Sequence, residues 1–123
     1  MDLDAIRAYC LSFRGVTESL QWGDELCFKI HGKLFTIVGL GSVPVRVTFK
    51  CNPEGFAELT EREGISAAAY VGRYKWVTLE TPEALSDAEL RDGIANSYQM
   101  VVAKVKPGRK LAGRRKRRKT RAA

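Results

Sequence analysis

Val43-Pro44-Val45-Arg46-Val47-Thr48-Phe49-Lys50-Cys51-Asn52-Pro53-Glu54 is the stretch on which the fold turns. Successive side chains of a strand point to opposite faces. Here Val43, Val45, Val47 and Phe49 fall on one face and Pro44, Arg46, Thr48 and Lys50 on the other, the pattern of a half-buried strand. Pro44 has no amide proton for a ladder, so the strand begins at an edge or enters pairing late. At Asn52-Pro53 the pattern changes. Asn is a favoured helix N-cap, and Pro is preorganised for the first helical position. Phe56 and Leu59 give that helix an inner face, and Gly64 stops it.

Upstream, two shorter runs prepare this strand. Leu26 to Ile30 alternates, His31-Gly32 is a two-residue hairpin signal, and Lys33 to Val38 returns. Gly39-Leu40-Gly41-Ser42 makes the next turn. Before them, Asp2 caps a helix to Phe13 whose Leu3, Ile6, Cys10 and Phe13 recur at helical spacing, and Gly15 ends it. Val16 to Glu25 reads as a polar connection around one large apolar residue, Trp22. Downstream, Ile65 to Tyr74 is irregular or briefly extended, and Lys75 to Glu80 is a strand. Ser86-Asp87-Ala88-Glu89 is a capping box. It opens a helix with Leu90, Ile94, Ser97, Tyr98, Val101 and Val105 in one stripe, ended by Pro107-Gly108. The order α-β-β-β-α-β-α predicts an α+β domain, an antiparallel sheet flanked by helices.

The 123 residues make one domain. No apolar run approaches the ~18 residues of a membrane span. Met1-Asp2-Leu3-Asp4 is acidic and lacks the apolar core of a secretory signal, so a cytoplasmic protein is expected. The net charge of +7 conceals a split. Eleven of the 21 Lys and Arg residues lie in 104–123, which holds no acid; the remaining ten face fourteen acids in 1–103, a net of −4. A block of like charge with little apolar content does not fold on itself. Residues 107–123 are therefore expected to be a disordered basic arm on a domain of residues 1–106. The run Arg114, Arg115, Lys116, Arg117, Arg118, Lys119 suits phosphate neutralisation, which makes DNA the expected partner. A solubilising tail is the alternative. No lipidation signal or bulky amphipathic helix adjoins it, so no membrane partner is expected.

Catalytic signals are few. Gly39-Leu40-Gly41 lacks the third Gly and the following helix of a dinucleotide loop. His31, the single histidine, sits in a turn and cannot build a His-rich metal site. No nucleophile turn is present. Glu54, Glu58 and Glu61 have the spacing of a solvated helix face, and Asp87, Glu89 and Asp92 suit the N-terminal dipole of the last helix. Cys10, Cys27 and Cys51 are odd in number, widely spaced and set in apolar stretches, so they read as reduced, buried small hydrophobes. No enzyme activity, cofactor, metal or small-molecule substrate is expected. The polar face of the sheet carries Lys29, Thr36, Arg46, Thr48 and Lys50. With Arg73 and Lys75 at the entry to the last strand, Lys29, Arg46 and Lys50 are the candidate nucleic-acid contacts of the folded part. Equally, an exposed antiparallel face simply needs polar residues.

The chain resembles the MmcQ/YjbR family over roughly residues 2–106. The likeness rests on Gly15-Val16-Thr17-Glu18, Trp22-Gly23-Asp24-Glu25, Phe28-Lys29-Ile30-His31-Gly32-Lys33-Leu34-Phe35, Phe49-Lys50-Cys51-Asn52-Pro53-Glu54, Ala69-Tyr70, Trp76-Val77 and Ser97-Tyr98, in that order. The family pattern often has His immediately before the Trp, where this chain has Lys75. The resemblance implies a CyaY-like fold related to double-wing DNA-binding domains, and a DNA-binding role. It brings no catalytic residues. Two other roles are compatible with it. One is a protein-interaction module with a charged tether; the other is frataxin-like cation binding through acids such as Asp2, Asp4 and Glu18.

Overall fold

The computed structural model describes residues 1–69 and 71–104, Arg73 by its backbone alone. Val105, the boundary at residue 107 and the candidates Arg114, Arg115, Lys116, Arg117, Arg118 and Lys119 lie outside the described residues, as does Tyr70. The first helix, α1 (Leu3–Leu11), starts where the Asp2 carboxylate accepts from the Ala5 amide at 2.8 Å. It buries Ile6 and Cys10. Six strands follow within the next seventy residues: β1 (Val16–Gln21), β2 (Glu25–Ile30), β3 (Lys33–Gly39), β4 (Arg46–Lys50), β5 (Ile65–Ala67) and β6 (Trp76–Leu79). Between β4 and β5 lies α2 (Pro53–Leu59), capped by the Asn52 side chain on the Gly55 amide at 2.6 Å. The last helix, α3 (Asp87–Lys104), opens with the expected reciprocal box: Glu89 N–H donates to Ser86 Oγ and Ser86 N–H donates to Glu89 Oε1, both at 3.1 Å.

The sheet is antiparallel throughout, in the order β1-β2-β3-β4-β6-β5. One face carries α1 and α3. Phe28, Phe35, Val38, Val47, Phe49, Val77 and Leu79 from the strands meet Ile6, Leu90 and Ile94 from the helices in one core. Leu90 and Ile94 have no exposed surface, and burying each stabilises the fold by about 1.5–3 kcal/mol. Phe13 stacks on Tyr98 with ring centroids 4.6 Å apart, and the Tyr98 hydroxyl donates to the Arg14 carbonyl at 2.7 Å. That pair locks the end of α1 to α3. Among the described residues no helix is long and apolar enough to cross a membrane.

The expected α+β elements occur in their expected order, and the sheet gains strands at both edges. Val16–Gln21 is a paired edge strand rather than a connection, running from Val16 opposite Ile30 to Gln21 opposite Glu25. Its alternation is masked in the sequence because Glu18 occupies a position facing α1, where Arg7 Nε donates to it at 2.8 Å. The briefly extended segment after Gly64 pairs with β6 over only three residues. Pairing of β4 starts at Arg46, and Val43, 99% exposed, takes no part in the apolar face assigned to it. His31 and Gly32 both have positive φ, 52° and 77°, as a type I′ hairpin requires.

Thr36 is a larger correction. The β2–β3 register shifts between Phe28 and Lys29, so that Phe28 faces Thr36 while Lys29 faces Leu34. The extra residue is Phe35. This bulge turns both Phe35 and Thr36 inward, and each is fully buried. Leu34, which strict alternation puts with Thr36, instead points to the open face.

Candidate nucleic-acid interface

Residues directly opposite in an antiparallel ladder share a face, so the registers define the surface turned away from the helices. At one end lie Gln21, Glu25, Gly39 and Arg46. Across the middle run Ser19, Cys27, Ile37, Thr48, Thr78 and Ser66. At the other end, Thr17, Lys29 and Leu34 are matched on the far strands by Lys50 opposite Trp76. Lys29, Arg46 and Lys50 thus do share the open face, but Arg46 stands at the opposite end from the two lysines.

The middle of this face is a trough of about 680 Å³ rather than a uniformly polar surface. Leu34, Ile37, Ala68 and Val71 line it, with the Thr48 and Thr78 hydroxyls bonded to each other at 2.9 Å. Trp22 lines it from the β1–β2 turn, 69% exposed and with φ 53°. At the Arg46 end, the Glu25 carboxylate lies against Gly39, where a Cβ would be 3.4 Å from Oε2. Burial, and then the nearby Asp24 charge, pushes the Glu25 carboxyl above the usual carboxylate range.

Leu34 also lines a second hollow, of about 310 Å³, with Lys33, Lys50, Trp76, Val101 and Lys104. Leu34 thus borders both, and Lys50, two residues beyond Thr48 on the same face, stands at this end of the trough. Lys50 and Lys104 border a further cleft of about 400 Å³ with Asn52, Pro53, Tyr74 and Lys75. Four lysines thus converge where β4 ends, β3 begins and α3 finishes. Their placement has local causes. The Lys50 amide donates to Ser97 Oγ at 3.0 Å, and Ser97 Oγ donates to the Phe35 carbonyl at 2.6 Å, tying β4 and the bulge to α3. Lys75 follows a 3-10 turn with φ 71°, and its Nζ sits 5.0 Å from the centre of the Phe56 ring, a cation–π contact.

Among the described residues the ion pairs join Arg7 to Glu18, Arg62 to Glu58 and Glu89, and the N-terminus to Glu83 and Asp87. None reaches the lysine cluster. The Lys104 side chain, with burial second, depresses the Lys50 ammonium below the ordinary lysine range. Two ammonium groups bordering one hollow repel each other and attract an anion.

Of the sequence candidates, Lys50 and Lys75 come together here. Lys29 shares only their end of the sheet, Arg46 lies apart, and the Arg73 side chain is outside the described part. Lys33 and Trp76 join the cluster unforeseen, and Lys104, counted above with the basic residues of 104–123, enters it from the last turn of α3. The other candidates for chemistry are occupied or remote. His31 is exposed in its turn. The three thiols are buried and unpaired; burial pushes Cys10 up to about 12 and Cys51 up to about 11, far from thiolate reactivity. Asp2 caps α1 and Glu18 holds Arg7, and among the described residues no group of His, Cys, Asp and Glu could hold a metal ion.

Comparison with known proteins bears on the fold. A Deinococcus radiodurans protein, DR2400, carrying the domain DUF419, superposes with a TM-score of 0.77 at 22% identity, covering 84% of this chain and 80% of that one. A Pseudomonas syringae protein does so with a TM-score of 0.65 at 19% identity, covering 81% and 98%. No curated protein matches the sequence. The YjbR family model matches residues 11–100, from the end of α1 through most of α3 and so across every strand of the sheet, and on that match the chain belongs to the YjbR family.

Proposed function

We propose that this protein binds DNA without catalysing a reaction on it. Lys33, Lys50 and Lys104 supply phosphate contacts from the folded domain, and the basic run ending the sequence supplies more. The carrying observation is that Lys50 and Lys104 line the same two hollows and, among the described residues, no acid lies within ion-pair distance of either. Such a pair costs the free protein some stability and is relieved when an anion sits between the charges. Phosphate contacts of this kind release counterions and favour binding at low salt. The sequence adds weight, since ten further Lys and Arg residues follow Lys104. An electrostatic grip is sequence-tolerant, so the protein is expected to bind many DNA sequences.

A second reading takes the trough as a docking site for a protein, because its floor is apolar. Mobility shifts of labelled DNA separate the two. Lys50→Ala/Lys104→Ala in the full chain should weaken DNA binding by at least tenfold. Unchanged affinity in the double variant removes the cluster from the function and leaves the trough as the better guide.

A further inference from the structure

We infer that the DNA form this protein takes is single-stranded, with phosphates on the lysine cluster and unstacked bases in the trough against Trp22. The inference rests on the DNA-binding reading above and narrows it.

Three observations meet here. The first is adjacency: Thr48 and Leu34 line the trough, and Lys50, two residues beyond Thr48 on the same face, stands beside it, so a ligand with a phosphate at Lys50 has an apolar surface next to it. The second is the chemistry of that surface. Ile37, Leu34, Ala68 and Val71 offer no charge, and the Thr48 and Thr78 hydroxyls are engaged with each other. A duplex presents phosphates and groove edges and keeps its base faces stacked inside, so it has nothing to place on such a floor. A single strand exposes base faces, and proteins that hold one combine a basic track with apolar and aromatic platforms. At about 680 Å³ the trough is within the range that encloses a small organic ligand. The third is Trp22. It is 69% exposed in the β1–β2 turn, so core packing does not account for a large aromatic at this position. The indole borders the trough from the β1–β2 turn, where it can cover the face of a base.

Charge complementarity selects this occupant over a peptide. At one end of the trough's face stand Lys29 and Lys50, and among the described residues no ion pair reaches either. At the other, Arg46 and Glu25 border it, a donor and an acceptor suited to base edges.

The test measures fluorescence anisotropy of the full chain with three ligands of equal length: a mixed-sequence single strand, the same strand annealed to its complement, and a strand whose sugars lack bases. The base-bearing single strand should bind at least tenfold more tightly than the other two and quench tryptophan emission. Trp22→Ala should lower its affinity about tenfold while leaving its salt dependence unchanged, because stacking involves no counterions. Trp22 is largely solvent-facing, so this variant keeps the fold; its thermal midpoint provides the check. Equal binding of the base-bearing and base-free strands, with Lys50→Ala/Lys104→Ala weakening both, overturns the single-strand inference and leaves DNA binding standing. Failure to bind any of the three ligands overturns both.

Discussion

Ser97→Ala is the perturbation that most directly tests how the lysine cluster is built. The β3–β4 ladder ends with Thr36 opposite Phe49. The next rung would join the Phe35 carbonyl to the Lys50 amide, but the bulge has displaced Phe35. The Ser97 hydroxyl takes the place of that rung, donating to the carbonyl at 2.6 Å and accepting from the amide at 3.0 Å in a fully buried position. Removing it deletes two hydrogen bonds, each worth about 0.5–1.5 kcal/mol, and leaves buried groups whose desolvation costs about 1–3 kcal/mol apiece if unmet. Some of this is recovered if the two strands close on each other, so the expected loss is about 2 kcal/mol. In a domain of this size that lowers the thermal midpoint by roughly 10 °C. Urea unfolding with unchanged slope gives the free-energy difference. Lys50 should also lose its fixed position, and DNA affinity should fall with it. A loss below about 0.5 kcal/mol refutes the reasoning, since the rung would then be dispensable.

Three further outcomes follow from the same core. Gly93→Ala brings opposing effects: Ala favours the helix by about 1 kcal/mol, but its Cβ would lie 2.7 Å from Phe49 Cζ in a ring with no exposed surface. Overpacking of about 1–3 kcal/mol wins, so thermal unfolding should show net destabilisation. Thr36→Val should stabilise by about 1 kcal/mol, because the buried hydroxyl faces the Cys10 thiol without an ordinary hydrogen bond, and the valine methyl fills the same space. Denaturant midpoints decide it. For acid, the Arg62 guanidinium and then the Ser86 amide hold the Glu89 carboxyl down to about 2. Its contribution is complete above the ordinary glutamate value of about 4.3 and is lost as pH falls through the folded value. Thermal midpoints of Arg62→Met should therefore depend less on pH between about 4.5 and 2 than those of the parent protein.

Much of this fold is legible in local chemistry. Asn52-Pro53 and Ser86 to Glu89 announce helix starts because capping needs those side chains at those offsets. His31-Gly32 announces a turn because both positions need positive φ. The Leu90, Ile94, Ser97, Tyr98 and Val101 stripe is buried as its period requires. What local chemistry hides is register. A single-residue bulge at Phe35 turns Thr36 inward and Leu34 outward, and so converts a polar face into an apolar trough. Glu18 conceals an edge strand because its partner, Arg7, comes from another element. The lysine cluster is hidden for the same reason. Lys33, Lys50, Lys75 and Lys104 are scattered along the chain, and only the convergence of three element ends unites them. Lys50 and Lys75 stand out in sequence as flanks of strands, whereas Lys33 reads as an ordinary hairpin residue.

The most direct test of the central claim is the salt dependence of single-stranded DNA binding by the full chain and by Lys50→Ala/Lys104→Ala. Each phosphate contact on a single strand contributes about 0.7 to the slope of log affinity against log salt. The parent protein should show a steep negative slope, and the double variant a slope flatter by about 1.4, with weaker binding at low salt. Identical slopes and affinities for the two proteins would contradict the assignment of Lys50 and Lys104 as phosphate contacts.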